Sequence, residues 1–589
     1  MQYSLGNMLK GGGALNPDGL ALDLAFALDR SFTTDPAAAG GALITSRRGP
    51  AAKFSRGSGA TQVNAAGLIE YAPENLILRS EGMPTLWNPV DSSISPDVEV
   101  SPSGLTNADK LVENSLLASH RIEQPFTPIS STTYTASIFV KPAERNFVLL
   151  GFTGGGMATT YVSANLSAET VSTAIGTPIA SSITKFANGW YRVSITLAST
   201  GVTSSFFDVR ISTDGVWANR SYLGDGTSGI FLWGAQLERA STARTYYPTT
   251  TAAFYGPRFD HDPATGDCKG LLIEESRTNL IATSVPGTNW TSGTGAHTVT
   301  QNSTDVGVAP DGSLPTKVVC TTSGNYQISF TAVTGTQYTA SIYARVLSGT
   351  GDIRVGGIVV GSFTASTATD EWARYSNTNT STTTGSRFLQ INMQAGETLY
   401  LWGAQVEAGA FATSYIPTTS GTAARSADVC SITDTDFSSF YNQSEGTLFA
   451  SSSMFAPLVG SSRRVVTISD GTTGNRNTIG NIIPGFVEAG LTQVFLVSSG
   501  GTAQATLGVQ GLTLASLNRT VGAYKVNDFA ASTNGSAVVT DTGGLVAASV
   551  DRLEIGNQLS VDLLCGHIAR IQYFRKRLSN AKLQTITTP

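Results

Sequence analysis

The chain has 589 residues, 41% hydrophobic and only 13% charged, with a formal net charge of −5. The acidic balance and the lack of a broad basic face exclude nucleic acid as a partner class, and no apolar run is long enough to span a membrane as a helix. With 62 glycines, solubility falls to Ser, Thr, Asn and Gln, which points to an all-β chain of about four domains built from short strands and tight turns.

Residues 1–74 differ in texture from the rest. Apolar Leu20, Leu22, Leu24, Ala25 and Leu28 predict one short helix over 20–32. Pro36 and the Ala/Gly run after it read as a linker, and residues 52–59 and 67–71 as a β-hairpin. The segment is too small for a domain. It is read as an anchoring segment whose removal leaves folded modules behind. Asp23 interrupts the apolar run 19–28 and no basic stretch precedes it, so no secretory signal is expected.

Two modules follow, and they repeat each other. Tyr-Thr-Ala-Ser-Ile stands at 134–138 and again at 338–342; Leu-Trp-Gly-Ala-Gln stands at 232–236 and again at 401–405. Asn75-Leu76-Ile77 matches Asn279-Leu280-Ile281, Trp87 matches Trp290, and Trp190 matches Trp372. The offset between copies falls from 204 through 182 to 169 residues along the repeat. The second copy therefore has shorter loops between matched strands, because loops absorb insertions and strands do not. Repeats this long are duplicated domains, predicted as antiparallel β-sandwiches over 75–256 and, with a bridge, over 257–420. In the first, 136–140, 191–197 and 229–233 read as strands. The bridge holds Asp260, His261, Asp262 and Asp267 in an Asp-Pro-x-x-Gly turn, then Glu274 and Glu275.

Residues 421–589 lack the repeat but still read as strands, at 446–450, 464–468 and 566–574. Ser579 is placed to cap one short helix, and the basic residues from Arg570 to Lys582 read as its solvated face. No heptads run through the chain, so no coiled-coil stalk is expected.

Catalytic material is sparse. His120, His261, His297 and His567 occupy four contexts without a neighbouring Cys or second His, so no metal site is expected. Asp260, Asp262 and Asp267 are read as turn residues before they are read as a Ca²⁺ site. Glu274 and Glu275 are neighbours on a strand and point to opposite faces, so they do not flank one glycosidic bond. Cys268, Cys320, Cys430 and Cys565 are read as buried free thiols. Trp87, Trp190, Trp233, Trp290, Trp372 and Trp402 are read as core residues inherited with the duplicated fold. Receptor contacts are then expected in the loops that differ between copies. No catalytic, metal or cofactor residues are assigned, and binding residues are left open.

Certain phrases carry a resemblance: 54–61 (Phe-Ser-Arg-Gly-Ser-Gly-Ala-Thr), 270–280 (Gly-Leu-Leu-Ile-Glu-Glu-Ser-Arg-Thr-Asn-Leu) and 401–417. They resemble segments of tailed-bacteriophage virion proteins, often tail fibres or receptor-binding proteins. The duplicated modules look like carbohydrate-binding jelly rolls, and residues 421–589 are similar to concanavalin-A-like, laminin-G-type sandwiches. The resemblance implies a non-enzymatic tail fibre or receptor-binding protein, made in the host cytoplasm and carried in the virion. It implies contact with host surface glycan, with other virion proteins through residues 1–74, and homo-oligomerisation, a trimer before other states. A head or baseplate decoration protein and a glycan depolymerase are the alternatives.

Overall fold

The computed structural model describes residues 18–589 except 288, 306, 456–461, 482–491, 511, 513–515 and 560–561. Residues 1–17, the start of the expected anchoring segment, lie outside the described residues. The all-β expectation holds. Antiparallel sheets make up the molecule, and the α-helices among the described residues are Asp434–Phe440 and Asn580–Thr587. Ser579 caps the second helix by accepting the Lys582 N–H at 3.4 Å.

The two modules are the same sandwich. In the second, one sheet runs Ala296–Thr300, Thr316–Thr322, Thr398–Ala408, Gln337–Ser348, Ala373–Thr380. The first repeats that order as Ser92–Val100, Thr106–Glu113, Gly229–Glu238, Thr133–Pro142, Tyr191–Ala198, then adds Ala180–Lys185 at the edge. The facing sheets correspond likewise, and the first module again carries one extra edge strand, Thr170–Ile175. The residues that lower the offset after the first pentapeptide are thus two added edge strands. Tyr134 and Tyr338 sit between the sheets as expected, each accepting a backbone N–H at 2.9 Å, from Ile129 and Val333.

The repeated phrases turn out to close each module. Asn75 donates to the carbonyls of Ala235 (3.0 Å) and Tyr247 (2.8 Å); Asn279 donates to those of Ala404 (3.2 Å) and Ile416 (2.9 Å). Gln236 and Gln405 accept from Tyr247 and Ile416 and donate to Glu238 and Glu407. Gly234 and Gly403 have φ of 62° and 63°, where the register of the strand shifts beside Phe139 and Tyr343. That backbone suits glycine. A Cβ on Gly234 meets the Phe139 ring at 2.9 Å, whereas on Gly403 the nearest atom is 3.1 Å away. Gly234→Ala is therefore expected to cost about 1–3 kcal/mol, read as a lowered first-module midpoint in chemical denaturation; an unchanged midpoint contradicts this.

The Trp residues correct the sequence reading in part. Trp87 and Trp290 lie between the sheets. Trp233 and Trp402 are buried, but on the outer side of their sheet, where strand alternation points them away from the sandwich interior. Trp233 packs with Phe139, Trp190 and Tyr246, and Trp402 with Tyr415, Tyr343, Trp372 and Ile69.

A third, central sandwich is assembled from separate stretches of chain. One sheet contains Leu20–Leu24, Phe259–His261, Cys268–Ile273, Glu445–Met454 and Gly566–Phe574; the other runs from Phe32–Thr34, Ala42–Ile44 and Ala52–Ser55 through Val429–Thr433 and Arg552–Ile555 to Arg463–Ser469 and beyond. One hydrophobic core spans them all. The helix predicted over 20–32 is instead a strand along Gly566–Phe574: Leu22 and Leu24 alternate into that core, while a register shift after Leu20 sets Leu20 against the separate cluster of Phe449 and Phe574. The predicted hairpin is shifted. Thr61–Val63 pairs with Ile69–Tyr71, while Ala52–Ser55 joins the large sheet. The bridge also belongs to this sandwich. The modules are insertions into it, each entered through a two-stranded stem, Glu74–Asn75 with Phe254–Tyr255 and Arg277–Asn279 with Ala423–Arg425. Nor is the Arg570–Lys582 stretch merely a solvated face: Arg570 pairs with Asp23 (2.7 Å), Arg577 with Asp528 (2.8 Å) and Lys582 with Asp18 (2.9 Å).

Candidate functional site

The second sheet of each module turns one face outward, and strand registers align the two faces position by position. In the first module Arg121 and Glu123 stand opposite Arg210 and Asp208. In the second, Asn325 and Gln327 stand opposite Asn392 and Gln390. The next strand contributes Leu149 and Gly151 in one copy and Arg354 and Gly356 in the other. The strand after that places Tyr161 opposite Gly151 and Phe363 opposite Gly356. Neither ring belongs to a sandwich core. In both copies a Cβ on the glycine lies 2.6 Å from ring carbons of its aromatic partner, so the aromatic rests across a bare backbone position.

The copies then diverge. In the first, the quartet is charged and internally paired. Arg210 holds Asp208 through Nε (2.8 Å) and Nη2 (3.0 Å) and donates to the Tyr161 hydroxyl (2.9 Å); Arg121 donates to Glu123 at 3.0 Å. Burial pushes the Asp208 carboxyl up to about 6 against the pull of both arginines. Residues 213–228 cover this face. Gly215 lies against Ser163, and the Trp217 ring sits 4.6 Å from Tyr161 with Arg220 on it at 4.5 Å. Tyr161 and Asp208 are 0% exposed.

In the second copy the matching connection is residues 394–397, too short to fold back. Asn325, Gln390, Asn392 and Phe363 are partly exposed there. Gln390 donates to Gln327 (2.6 Å) and Asn392 to Asn325 (2.7 Å). The bond within each amide pair uses one N–H and one lone pair, so donors and acceptors remain on both partners. Arg354 is bound to Asp352 at 3.1 Å. The result is an uncharged ladder of donors and acceptors beside an aromatic ring. Only pairing registers bring 325, 327, 390 and 392 together. The loop that differs between the copies closes one face, and its shortness opens the other.

A trough of about 340 Å³ on the first module, between Ala180–Lys185 and residues 241–243, is the competing location. Its hydroxyls largely satisfy one another, Ser182 with Ser194 at 2.7 Å and Thr196 with the Ser241 carbonyl at 3.3 Å.

Of the acidic residues weighed from sequence, Asp260, Asp262, Glu274 and Glu275 have side-chain partners, and Asp267 is an exposed turn residue. Asp262 accepts from Ala264 and Thr265 N–H groups in a turn and pairs with Lys269, and Asp267 closes that turn by backbone bonds. Glu274 is buried against Arg258 (2.6 Å) and Arg425 (3.1 Å), which hold its carboxyl below the usual range although burial alone raises it. Glu275 turns instead to Arg463 and Arg277. Asp260 accepts the Val63 N–H (2.6 Å) and meets His567 at 2.9 Å. The histidines, expected to stand without a neighbouring Cys or second His, have other partners: strand pairing brings His567 to Asp260 and within 3.4 Å of the Ser453 hydroxyl. His120 bonds the Asp91 carbonyl, His261 the Val63 carbonyl and Arg30, and His297 the Ser292 hydroxyl. The cysteines are free thiols; burial pushes Cys565 up to about 12. Among the described residues no group of three or more His, Cys, Asp or Glu is arranged to hold a metal, and no helix is long and apolar enough to cross a membrane.

No protein-family model and no curated protein matches the chain. Among solved structures, the carbohydrate-binding module CBM40 of Ruminococcus gnavus IT-sialidase, bound to α2,3-sialyllactose, is 18% identical at TM-score 0.21, over 25% of this chain and 84% of that one. The CBM22 tandem of Paenibacillus barcinonensis Xyn10C is 10% identical at TM-score 0.19, over 57% and 97%. The LG1-3 region of the laminin α2 chain is 11% identical at TM-score 0.15, over 74% and 92%. At such scores these likenesses carry no argument.

Proposed function

We propose that the chain is a glycan-binding structural protein of a tailed-phage virion, a tail fibre or receptor-binding protein that holds host surface glycan without cleaving it. The virion part rests on the phrases at 54–61, 270–280 and 401–417. The binding part rests on one observation, the amide ladder of the second module, in which Asn325, Gln390 and Asn392 are partly exposed and Gln327 is buried beside Gln390. Amides that offer a donor and an acceptor side by side match vicinal hydroxyls, and each such bond contributes about 0.5–1.5 kcal/mol. Copies held together in a homo-oligomer, a trimer first, multiply weak contacts through avidity. Contact with other virion proteins through residues 1–74 belongs to the same reading, with 18–74 presenting whatever surface the central sandwich leaves free.

The test is retention of the whole protein on host cells or their extracted polysaccharide. Gln390→Ala with Asn392→Ala is expected to lower retention about tenfold or more, with unchanged thermal unfolding. Retention that survives the double variant overturns the assignment of this face. The depolymerase alternative needs two carboxylates flanking one glycosidic bond. Glu274 is held by Arg258 and Arg425, Glu275 by Arg463 and Arg277, and Asp262 by Lys269, while Asp260 meets His567, so polymer length is expected to stay constant. Shortening of the polymer that is lost on replacing any one of those carboxylates decides for the enzyme.

A further inference from the structure

The first module shows what shape its partner's open face accepts. Resting on the glycan-binding reading, we propose that the second module's face takes an uncharged pyranose, its apolar ring face laid on Phe363 and its hydroxyls on Gln390 and the Asn325/Asn392 pair. Two observations carry this. First, the same place in the first copy, above Tyr161, is filled by the flat ring of Trp217, delivered by a connection that the second copy lacks. A face inherited by duplication and filled in one copy by a planar apolar group is a stacking platform, and Phe363 rests on Gly356 as Tyr161 rests on Gly151. A pyranose presents such a group through its axial C–H bonds. Second, the four polar positions that are Arg, Glu, Asp and Arg in the first copy are all amides in the second. An acidic sugar needs a cation free to meet it. Arg354, which stands in the next strand beside Asn392, is engaged with Asp352 through both Nε and Nη2. The amide ladder meets hydroxyls without any charge to compensate.

The experiment is affinity electrophoresis of the full chain through native gels holding dextran or galactomannan, both neutral, or alginate or hyaluronate, both acidic. A neutral polymer is expected to retard the protein, with little change on adding salt. Phe363→Ala is expected to weaken retardation at least about tenfold, and Phe363→Trp to keep it. Trp217→Ala is expected to leave it intact, although Trp217 is the more obvious surface aromatic. Phe363 lies outside the core cluster, so thermal unfolding of each variant checks that folding is unchanged. Retardation by the acidic polymers alone, suppressed by salt and indifferent to Phe363→Ala, overturns the inference. If Gln390→Ala still releases the protein in that case, the glycan-binding reading stands without it. Retardation by none of the four polymers overturns both.

Discussion

A chain starting at residue 75 is expected to lose its central sandwich while keeping both inserted modules. Leu22, Leu24, Phe26, Ile44 and Phe54 are at most 2% exposed in the core shared with Phe495, Ile568 and Tyr573. Burying five such side chains contributes on the order of 10 kcal/mol, comparable with the whole ~5–15 kcal/mol of a typical domain. The loss is also one of pairing. Without Leu20–Leu24 and Ala52–Ser55, the strands Gly566–Phe574 and Val429–Thr433 each lose a neighbour. The modules should survive, because each has its own core and is joined to the rest through a two-stranded stem. Limited proteolysis of the truncated protein should therefore release two resistant fragments near 75–255 and 279–423 and degrade the remainder. The milder Phe54→Ala is expected to cost about 3–5 kcal/mol, seen as a lower Tm for one transition only. A truncated protein that unfolds in the parent's pattern, with residues 425–589 still resistant, rules this assembly out.

What was legible in the sequence was what repeats or alternates locally. The duplication, the strand-rich composition and the strand Gly566–Phe574 with its Ser579 cap all follow from short stretches of chain. The nesting of domains did not. Residues 20–55, 259–273 and 429–574 meet only because two whole modules loop out between them, and nothing within Leu20–Leu24 names a partner more than 500 positions away. The five-residue strand was misread because Ala25 and Leu28 add a helical spacing to an alternating pattern, and pairing decided between the two. The candidate face was hidden for a related reason. Asn325, Gln327, Gln390 and Asn392 are ordinary alternating polar residues until antiparallel register places them side by side. The falling offset between the repeats did contain the decisive clue, since one of its two steps is the connection that carries Trp217.

The second large effect is expected at the junction of the central sandwich and the second module. Arg56, Arg258 and Arg425 converge there on Glu274 and Asp428, all at most 5% exposed. Asp428 binds Arg56 at 3.0 Å and also Arg258, while Glu274 takes Arg258 and Arg425 and accepts from the Ser414 N–H (2.7 Å) and hydroxyl (2.6 Å). Three guanidinium groups thus face two carboxylates, and burial already lowers Arg56 to about 10. Neutralising one carboxylate leaves three buried cations against one anion. Removing one partner of a buried pair costs about 3–5 kcal/mol, so Glu274→Gln should lower the Tm at pH 7 by several degrees. Because Ser414 belongs to the second module and Glu274 to the central sheet region, the loss should also free that module to unfold separately. The pH dependence has a defined sign. The arginines hold the folded Glu274 carboxyl below its unfolded value of about 4.3. Its contribution is therefore fully present above about pH 5, begins to fall as pH drops below about 4, and is lost only as pH passes through the much lower folded value. Calorimetry at pH 7 and pH 3.5 should show the parent losing more stability on acidification than Glu274→Gln does. Equal Tm values for the two proteins at pH 7, or parallel losses in acid, would mean that the junction is held by packing and that the five charges are spectators.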